Sequence, residues 1–322
     1  MCPVYSLNLG YCFQKTSNKL QTKTALSMSK LNPPNNFLGL APKLSDYKTA
    51  KAAILPLPYE ATTSYGAGTK RGPAALIKAS QQVEFFDEEL NAESCQVGIA
   101  TMKPPVFGKA NGARAVKMIA DSCRKLLNDD KFVIGLGGEH SVTPGMVQAM
   151  HEKYPDLWVI QLDAHSDLRD EYAGSPYSHA CAMARVVELC PLVGLGIRSG
   201  IIGERERLKA PSRVYYAHEM RQLGSARWME EVFNLVGTRV YLTIDLDFFN
   251  PAEMPAVGTP EPGGFGWYEA LDFLRALFSR REVVGCDIVE LMPLRGLAGS
   301  DFFAARLAYK LIGYKFFSGK RA

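Results

Sequence analysis

Apolar runs alternate with helical stretches along most of the chain. Eight short runs are almost continuously apolar, which is typical of strands that are buried on both faces. They cover residues 52–57, 96–100, 132–136, 157–162, 192–197, 214–217, 240–244 and 283–289. Helical stretches cover residues 73–86, 110–127, 144–153, 179–189, 226–236, 267–279 and 301–311. This alternation predicts an α/β domain, in which a parallel sheet is covered by helices on both faces.

The pattern begins at residue 46 and continues to residue 322 without an internal repeat or a low-complexity linker, which predicts one domain. The first 45 residues contain five lysines, no arginine and no acid, and they are rich in Ser, Thr and Asn. The absence of arginine argues against an organellar transit peptide. We therefore expect residues 1–45 to be a disordered extension, or the result of a start codon placed too early, with Met28 as the alternative start.

Composition excludes several classes of protein. The 322 residues are 47% hydrophobic, and the net charge of +4 is not gathered into a basic face, which argues against nucleic acid as a partner. No apolar run reaches the roughly 18 residues that span a bilayer. Seven scattered cysteines without a CxxC pair argue against disulfides and a thiolate zinc site. These features predict a soluble, cytoplasmic protein that does not bind membranes.

Candidate metal ligands follow two of the predicted strands. Asp163, His165 and Asp167 alternate with small residues after the run at 157–162, and in an extended backbone their side chains share one side. A single aspartate here could simply cap a helix, but three ligand types at alternate positions predict metal binding. Asp245 and Asp247 repeat this spacing after the run at 240–244.

His140 extends the same layer of polar residues. It lies in the segment Gly-Gly-Glu-His-Ser (137–141), just after the run at 132–136, and the carboxyl ends of parallel strands meet at one edge of a sheet. His140 and the five residues above supply four negative charges, which balance two divalent cations. A set rich in carboxylates favours Mn²⁺ over zinc. Two metals about 3.5–4 Å apart produce hydroxide from water, so the sequence predicts a hydrolase.

Three ordered motifs resemble the ureohydrolase family of arginases and agmatinases. They are Gly-Gly-Glu-His-Ser (137–141), Asp-Ala-His-Ser-Asp (163–167) and Thr-Ile-Asp-Leu-Asp (243–247) with the later Gly-Thr-Pro-Glu-Pro-Gly-Gly (258–264). The resemblance extends over residues 50–315. It implies a three-layer α/β/α arginase-like fold with an eight-stranded parallel sheet and a centre of two Mn²⁺ ions.

The resemblance also implies a role for each motif residue. One metal would be held by His140, Asp163, Asp167 and Asp245, and the other by Asp163, His165, Asp245 and Asp247. His179 matches the histidine that shuttles protons at the mouth of the site, and Glu290 matches the glutamate that pairs with the guanidinium. Asp167 would also help to stabilise the tetrahedral intermediate. The chain departs from the family pattern at Asn250, where an aspartate is usual, and after His179, where many relatives have glycine.

The loop at 168–178 bears on the substrate. It lacks the asparagine through which arginases bind the amino-acid end of arginine, and it is more similar to agmatinases. Glu171 would favour the ammonium of agmatine, whereas Arg169 would favour a carboxylate-tailed substrate if it faces the pocket. The expected reaction converts agmatine to putrescine and urea in polyamine biosynthesis. A guanidinobutyrase, arginase or formiminoglutamase type of activity stays open.

Two other classes of protein fit the sequence less well than this enzyme. A two-metal phosphoesterase normally needs several more histidines, and only His151 and His218 remain outside the motifs. A non-catalytic member that kept the fold is disfavoured because all six ligands are intact. Relatives are commonly trimers or hexamers, so the resemblance implies a homo-oligomer that acts on a small guanidino compound.

Overall fold

The computed structural model of the protein describes residues 29–318. One sheet of eight parallel strands runs through the centre, in the order β4-β1-β5-β10-β9-β6-β7-β8. Its strands are β1 (Ala52–Leu57), β4 (Ile99–Thr101), β5 (Phe132–Gly137), β6 (Trp158–Leu162), β7 (Leu192–Ile197), β8 (Arg213–Tyr216), β9 (Arg239–Asp245) and β10 (Glu282–Val289). A small antiparallel hairpin of β2 (Phe86–Asp87) and β3 (Ala92–Glu93) lies apart from the sheet. The eight parallel strands confirm the predicted sheet.

Helices cover both faces of this sheet. Nine α-helices lie within residues 29–318: α1 (Pro42–Ser45), α2 (Gly72–Ser80), α3 (Gly112–Asn128), α4 (Thr143–Lys153), α5 (Ala182–Val186), α6 (Ala217–Leu223), α7 (Ser225–Leu235), α8 (Trp267–Arg280) and α9 (Ala298–Phe317). Helices α3, α4 and α5 pack on one face, and α2 and α6 to α9 pack on the other. None of the nine has both the length and the apolar character that crossing a lipid bilayer requires.

Burial on both faces explains why the strands read as continuous apolar runs. In β1, Ile54 points into one helical layer and Leu55 into the other, and both side chains are fully buried. Ile134 and Val133 divide in the same way in β5. Alternation between apolar and polar residues is therefore absent, as expected for a sheet with a helical layer on each side.

Local backbone geometry shifts several predicted boundaries. The strand predicted at 96–100 starts only at Ile99, because residues Ser94–Val97 form a 3-10 turn that ends at Gly98 with a φ of 77°. The helix predicted at 73–86 ends at Ser80, whose hydroxyl donates to the carbonyl of Ile77. The helix α6 was not predicted, and Gly224 with a φ of 76° separates it from α7.

The ordered structure extends to the N-terminal side of the predicted boundary at residue 46. Phe37 and Leu40 are fully buried against the sheet, and the backbone N–H of Phe37 donates to the Thr101 hydroxyl at 2.9 Å. Residues 29–45 are therefore packed onto the domain, although the sequence analysis placed them in the extension. Residues 1–28 lie outside the described part of the chain.

The order of the strands determines where a site can form. Strands β5 and β6 come before β9 and β10 in the sequence, but β9 and β10 lie between them in the sheet. The four strands β5, β10, β9 and β6 are therefore neighbours at the centre, and their carboxyl ends open onto one crevice. Ligands of α/β proteins bind at such a point in the sheet.

Replacing Phe37 by alanine tests whether residues 29–45 are part of the domain. The loss of a fully buried phenyl ring is expected to lower the free energy of unfolding by about 3–5 kcal/mol. Urea denaturation followed by circular dichroism measures this change. Lys43→Ala, at an exposed position of the same segment, is the control and should stay within about 0.5 kcal/mol of the parent. Equal effects of the two changes would contradict the assignment.

Candidate metal centre

Close packing at the carboxyl end of β5 brings the first elements of the site together. The N–H of Gly138 donates to the Leu57 carbonyl at the end of β1, and the Gly138 carbonyl accepts from the Glu290 N–H after β10. A Cβ atom at position 138 would collide with the carbonyl oxygen of Tyr59. Only glycine allows this approach. The motif glycine thus joins three strand ends at the crevice.

His140 lies at the centre of a group of carboxylates. Its Nδ1 atom is 3.1 Å from Asp163 Oδ2, 3.0 Å from Asp167 Oδ2 and 3.4 Å from Asp245 Oδ2. The imidazole is buried, and its Nε2 atom lies 2.9 Å from the Thr243 hydroxyl. Nδ1 has no hydrogen-bond partner of its own. If Nε2 donates to the Thr243 hydroxyl, Nδ1 has a lone pair that faces the space between the carboxylates.

A second group lies beside the first and shares Asp163. His165 Nδ1 is 2.8 Å from Asp247 Oδ2, and Asp163, His165 and Asp247 are close enough to hold one ion. His140, Asp163 and Asp245 form the other such group. The carboxylate of Asp163 is oriented by N–H donors from Gln161 at 2.8 Å and from the His165 backbone at 2.6 Å.

The geometry therefore fits two divalent cations, and Asp163 belongs to both groups. All six residues predicted as ligands meet at the crevice, and the orphaned Nδ1 atom of His140 points at the place where an ion would lie. Four carboxylates with two imidazoles form a hard donor set. Neighbouring hydrogen bonds orient several of these ligands, as is usual at metal sites: Thr243 contacts His140, and backbone N–H groups donate to Asp245 and Asp247.

Burial and mutual repulsion perturb the acids of the cluster. Burial, followed by the charges of Asp247 and Asp167, raises the pKa of Asp163 to about 7. Burial and the same kind of repulsion raise the pKa of Asp245 well above its ordinary value. Burial alone would lower the pKa of His165, but Asp247 raises it to about 10. A divalent cation would remove the need for these protons.

Two residues of the site adopt a backbone conformation that favours glycine. The φ angles of Asp167 and Glu290 are 51° and 64°, in the left-handed region. The Asp167 carbonyl accepts from the Ala184 N–H at 3.0 Å, and this bond fixes the turn. Such strain is typically found at functional sites, where it directs a side chain that would otherwise point away.

Glu290 is a buried carboxylate at the bottom of the crevice. Its Oε1 atom accepts from the backbone N–H of His140 at 2.7 Å. Burial raises the pKa of Glu290 well above its ordinary value, and the nearby charges of Glu139 and Asp247 raise it further. No Lys or Arg in residues 29–318 forms an ion pair with it. A cationic ligand would supply the countercharge that favours the ionised form of this carboxylate.

A cavity of about 180 Å³ opens above the cluster. His165, Asp167, Asp245, Asp247 and Glu290 form its inner part. Its outer part is lined by Thr63, Ser64, Tyr65, Gly66, Arg169, Tyr172, His179, Ala180, Ser199, Gly258 and Thr259. Glu171 is exposed and does not line the cavity, so the structure does not bring this predicted substrate contact to the site.

His179 lies at the rim and is held by the loop after β1. Its backbone N–H donates to the Thr62 hydroxyl at 2.9 Å, and its Nδ1 atom lies 3.3 Å from the same hydroxyl. The Nε2 atom is 3.5 Å from the hydroxyl of Ser64, which also lines the cavity. The rings of Tyr172 and His179 are nearly perpendicular, with an interplanar angle of 82° and the two centroids 6.3 Å apart.

Arg169 reaches the cavity, but its charge is paired. Its Nε atom is 3.3 Å from Oε1 of Glu204, which is buried. The guanidinium also lies over the Tyr172 ring, 4.7 Å from the centroid. Glu204 Oε2 accepts from the Ser166 hydroxyl and from the Ile201 N–H. The arginine thus belongs to the wall of the cavity as half of an ion pair.

A family model agrees with this geometry. The model described as the arginase family matches residues 50–313 of the chain. The chain belongs to the arginase family. Membership makes it an amidinohydrolase, and the eight-stranded parallel sheet is the arginase-like fold that the sequence predicted.

Relatives of this arginase-family chain cover most of its length. An N(1)-aminopropylagmatine ureohydrolase from Synechocystis sp. is 42% identical over 300 residues, which are 88% of this chain and 97% of the relative. An agmatinase from Bacillus cereus is 38% identical over 258 residues, 77% of this chain and 86% of the relative. The crystal structure of agmatine ureohydrolase from Thermoplasma volcanium superposes on this chain with a TM-score of 0.76 and 28% sequence identity. The superposition includes 87% of this chain and 94% of the agmatine ureohydrolase chain.

The structure adds residues to the site that the sequence analysis did not assign. Thr62, Ser64 and Ser199 come from loops after β1 and β7, and Glu139 lies within a motif but had no role. A signal for the first loop was present, because the mostly polar run at 60–64 begins two residues after the apolar strand at 52–57. The Asn250 side-chain oxygen accepts from the Ala252 N–H at 3.0 Å and so shapes its turn.

Removal of metal is expected to reverse the usual effect of pH on stability. Between the ordinary aspartate pKa of 3.8 and the value of about 7 for Asp163, the native state binds a proton that the unfolded chain has lost. Stability must therefore fall as pH rises through this range. His165, with a pKa raised to about 10, acts in the same direction at higher pH.

The measurement is thermal unfolding at pH 5 and pH 8, which lie on either side of the Asp163 pKa of about 7. Protein freed of metal is compared with the same protein after addition of Mn²⁺. The melting temperature without metal should be lower at pH 8, and Mn²⁺ should raise it most at pH 8, because the ion displaces protons. Asp163→Asn removes one of these titrating groups and should flatten the pH dependence. A melting temperature that rises with pH in the metal-free protein would contradict this account of the cluster.

Proposed function

We propose that this protein hydrolyses the guanidino group of agmatine, with release of urea and putrescine, at a centre of two Mn²⁺ ions. The observation that supports this most strongly is the shared aspartate. Asp163 belongs to both ligand groups, and Glu290 and His179 line the cavity directly above them. Metal ligands, a buried carboxylate for a planar cation and a histidine at the rim are thus combined in one crevice.

The two metals would be held by the six cluster residues. His140, Asp163, Asp167 and Asp245 would bind one ion, and Asp163, His165, Asp245 and Asp247 the other. The carboxylate-rich set favours Mn²⁺, because zinc sites normally contain more histidine or cysteine. When bound, two such ions lower the pKa of water at the site and polarise the bond to be broken.

Glu290 would bind the guanidinium. Its carboxylate is buried, and one of its oxygens is fixed by the His140 N–H. A guanidinium presents parallel N–H donors that match a carboxylate, and its charge offsets the repulsion that raises the pKa of Glu290. The same contact would fix the guanidinium carbon above the metal ligands, so that binding also supplies orientation.

His179 and Asp167 would handle protons and charge during the reaction. His179 lines the outer cavity with Nε2 towards Ser64, where the leaving amine must pass on its way to solvent. An imidazole changes charge near neutral pH and suits proton exchange at this position. Asp167 lines the inner cavity, and its carboxylate would balance the positive charge of the substrate nitrogens as the carbon becomes tetrahedral.

The Arg169–Glu204 ion pair supports an amine-tailed substrate. Arg169 is the one arginine among the described residues that line the cavity, and Glu204 already neutralises it. A carboxylate tail would have to break this pair or remain without a cation, and both cost free energy. An amine tail meets the hydroxyls of Ser64, Ser199 and Thr259 instead.

N1-aminopropylagmatine is the second candidate substrate. The relative from Synechocystis sp. that is 42% identical to this chain is named for it. Ser199 lines both the catalytic cavity and a neighbouring cavity of about 610 Å³, which could receive a tail longer than that of agmatine. Hydrolysis of this compound would release urea and the corresponding triamine.

The proposal includes the assembly and the compartment. A homo-oligomer, a trimer or hexamer as the resemblance implies, is supported by the adjacent exposed side chains of Ile201 and Ile202. A cytoplasmic location is supported by the cysteines of the described residues, since Cys95, Cys123, Cys181, Cys190 and Cys286 are buried and free.

A substrate panel tests the tail preference. Mn²⁺-loaded protein is expected to release urea from agmatine or N1-aminopropylagmatine with a kcat/KM at least about 100-fold above that for arginine or guanidinobutyrate, a difference of about 2.7 kcal/mol. Urea release and the amine product are measured for each compound, with guanidinopropionate and formiminoglutamate included. The ratio of the two amine-tailed compounds decides between the candidate substrates. No hydrolysis of any compound would refute the proposed function.

Removal of the shared aspartate tests the metal centre. Asp163→Ala is expected to lose both ions, because the variant retains only part of either ligand group. Its kcat is expected to be at least about 10³-fold lower than that of the parent. Metal content after gel filtration, measured by elemental analysis, accompanies the rate assay. Asp272→Ala, in an exposed ion pair on α8, is the control and should keep metal and activity. Full activity of Asp163→Ala would contradict the assigned ligands.

A further inference from the structure

Glu139 is a fully buried carboxylate that does not face the metal centre. Its Oε2 atom accepts from the backbone N–H groups of Ala61 and Thr62, both at 2.7 Å. Its Oε1 atom accepts from the hydroxyls of Thr62 at 2.8 Å and Ser141 at 2.5 Å. Four donors satisfy this carboxylate without a cation. The residue thus fastens the loop after β1 to the motif that contains His140.

The same hydrogen bonds continue to His179 through one hydroxyl. Thr62 donates its only hydroxyl proton to Glu139, so its oxygen can act only as an acceptor towards other groups. It accepts from the backbone N–H of His179 at 2.9 Å, and it lies 3.3 Å from Nδ1 of that ring. A contact between this oxygen and Nδ1 is therefore a hydrogen bond only if Nδ1 bears the proton.

We propose that Glu139 and Thr62 are positioning residues that hold His179 in the Nδ1–H tautomer, with the Nε2 lone pair free at the cavity. This inference rests on the proposed function in one respect, since His179 is the residue that exchanges protons there. Nε2 lies beside Ser64 on the cavity wall, where a proton can enter and leave. The Ser178 hydroxyl also approaches Nδ1, but at 3.5 Å it is the more distant neighbour.

Glu139→Gln is expected to reverse the direction of the hydrogen bonds. The amide oxygen must occupy the Oε2 position, because two backbone N–H groups point at it. The amide NH₂ group then faces Thr62 and donates to its hydroxyl oxygen, which frees the hydroxyl proton for Nδ1 of His179. The ring should change to the Nε2–H tautomer. One uncharged substitution thus changes the state of a residue that it does not contact.

Two variants of Thr62 test the hydroxyl directly. Thr62→Val keeps the shape of the side chain without the hydroxyl, and we expect kcat to fall by about 10–100-fold with KM within about twofold, because proton transfer is affected and binding is not. Thr62→Ser restores the hydroxyl and should remain within about threefold of the parent in kcat. Glu60→Gln is the loop control, since Glu60 bonds to Gly68 and Lys70 in the same loop but not to His179.

The tautomer itself is measured by long-range ¹H–¹⁵N NMR of histidine-labelled protein. The chain has only five histidines, and Zn²⁺ loading avoids the broadening caused by Mn²⁺. Signals of His179 are assigned by their loss in His179→Asn. The expected result is Nδ1–H in the parent and in Thr62→Ser, Nε2–H in Glu139→Gln and a mixture in Thr62→Val.

Several outcomes would overturn the proposal. One is an Nδ1–H ring in all variants, and another is an equal loss of kcat in Thr62→Val and Thr62→Ser. If Glu139→Gln loses metal, the two Thr62 variants decide the question alone, since Thr62 is outside both ligand groups. The NMR result needs no substrate, so it tests the positioning of His179 even if no guanidino compound is hydrolysed.

Discussion

Repulsion among buried carboxylates is the constraint on which the rest of this structure depends. Asp163, Asp245 and Asp247 are almost completely buried within a few ångströms of one another, and Glu290 lies close by. Such a cluster is tolerated only if cations or hydrogen-bond donors compensate it. The protein supplies two imidazoles and several backbone N–H groups, and leaves the rest of the compensation to metal ions and a cationic substrate. Stability and function are therefore coupled at the same atoms.

The buried acids can be told apart by how completely the protein satisfies them. Glu139 receives four hydrogen bonds from neutral donors, and Glu204 is paired with Arg169, so each is complete within the chain. The metal-cluster aspartates share their donors and repel one another, and Glu290 has one strong donor in the His140 N–H. Carboxylates whose partners all lie within the chain hold the walls of the cavity in place. Carboxylates with too few partners need a metal ion or a cationic ligand. This distinction follows from hydrogen-bond counts rather than from residue type.

Prediction from the sequence was most successful where spacing alone determines geometry. Strand parity predicted one common side for Asp163, His165 and Asp167, but β6 ends at Leu162, and Asp167 joins the cluster through a turn with a φ of 51°. The common edge of parallel strands brings His140 and the Asp245 pair to the same place. Contacts from the loop after β1 could not be predicted, because Thr62 and His179 meet only through the strand order. The direction of Arg169 depends on an ion-pair partner, Glu204, that is far along the chain. Gly98 and Gly224 set boundaries by a positive φ that periodicity does not reveal.

The insertion of β9 and β10 between β5 and β6 has a consequence during synthesis. Val133 of β5 pairs with Gly285 of β10, and Ile160 of β6 pairs with Leu242 of β9. These contacts cannot form until the later residues of each pair have been synthesised. Until the ribosome has made the last third of the protein, β5 and β6 each present one unpaired edge. Open strand edges are sites of pairing with other chains, and such long-range contacts form slowly. The nascent chain is therefore most open to pairing with other chains before its final strand, the one that precedes Glu290, has emerged.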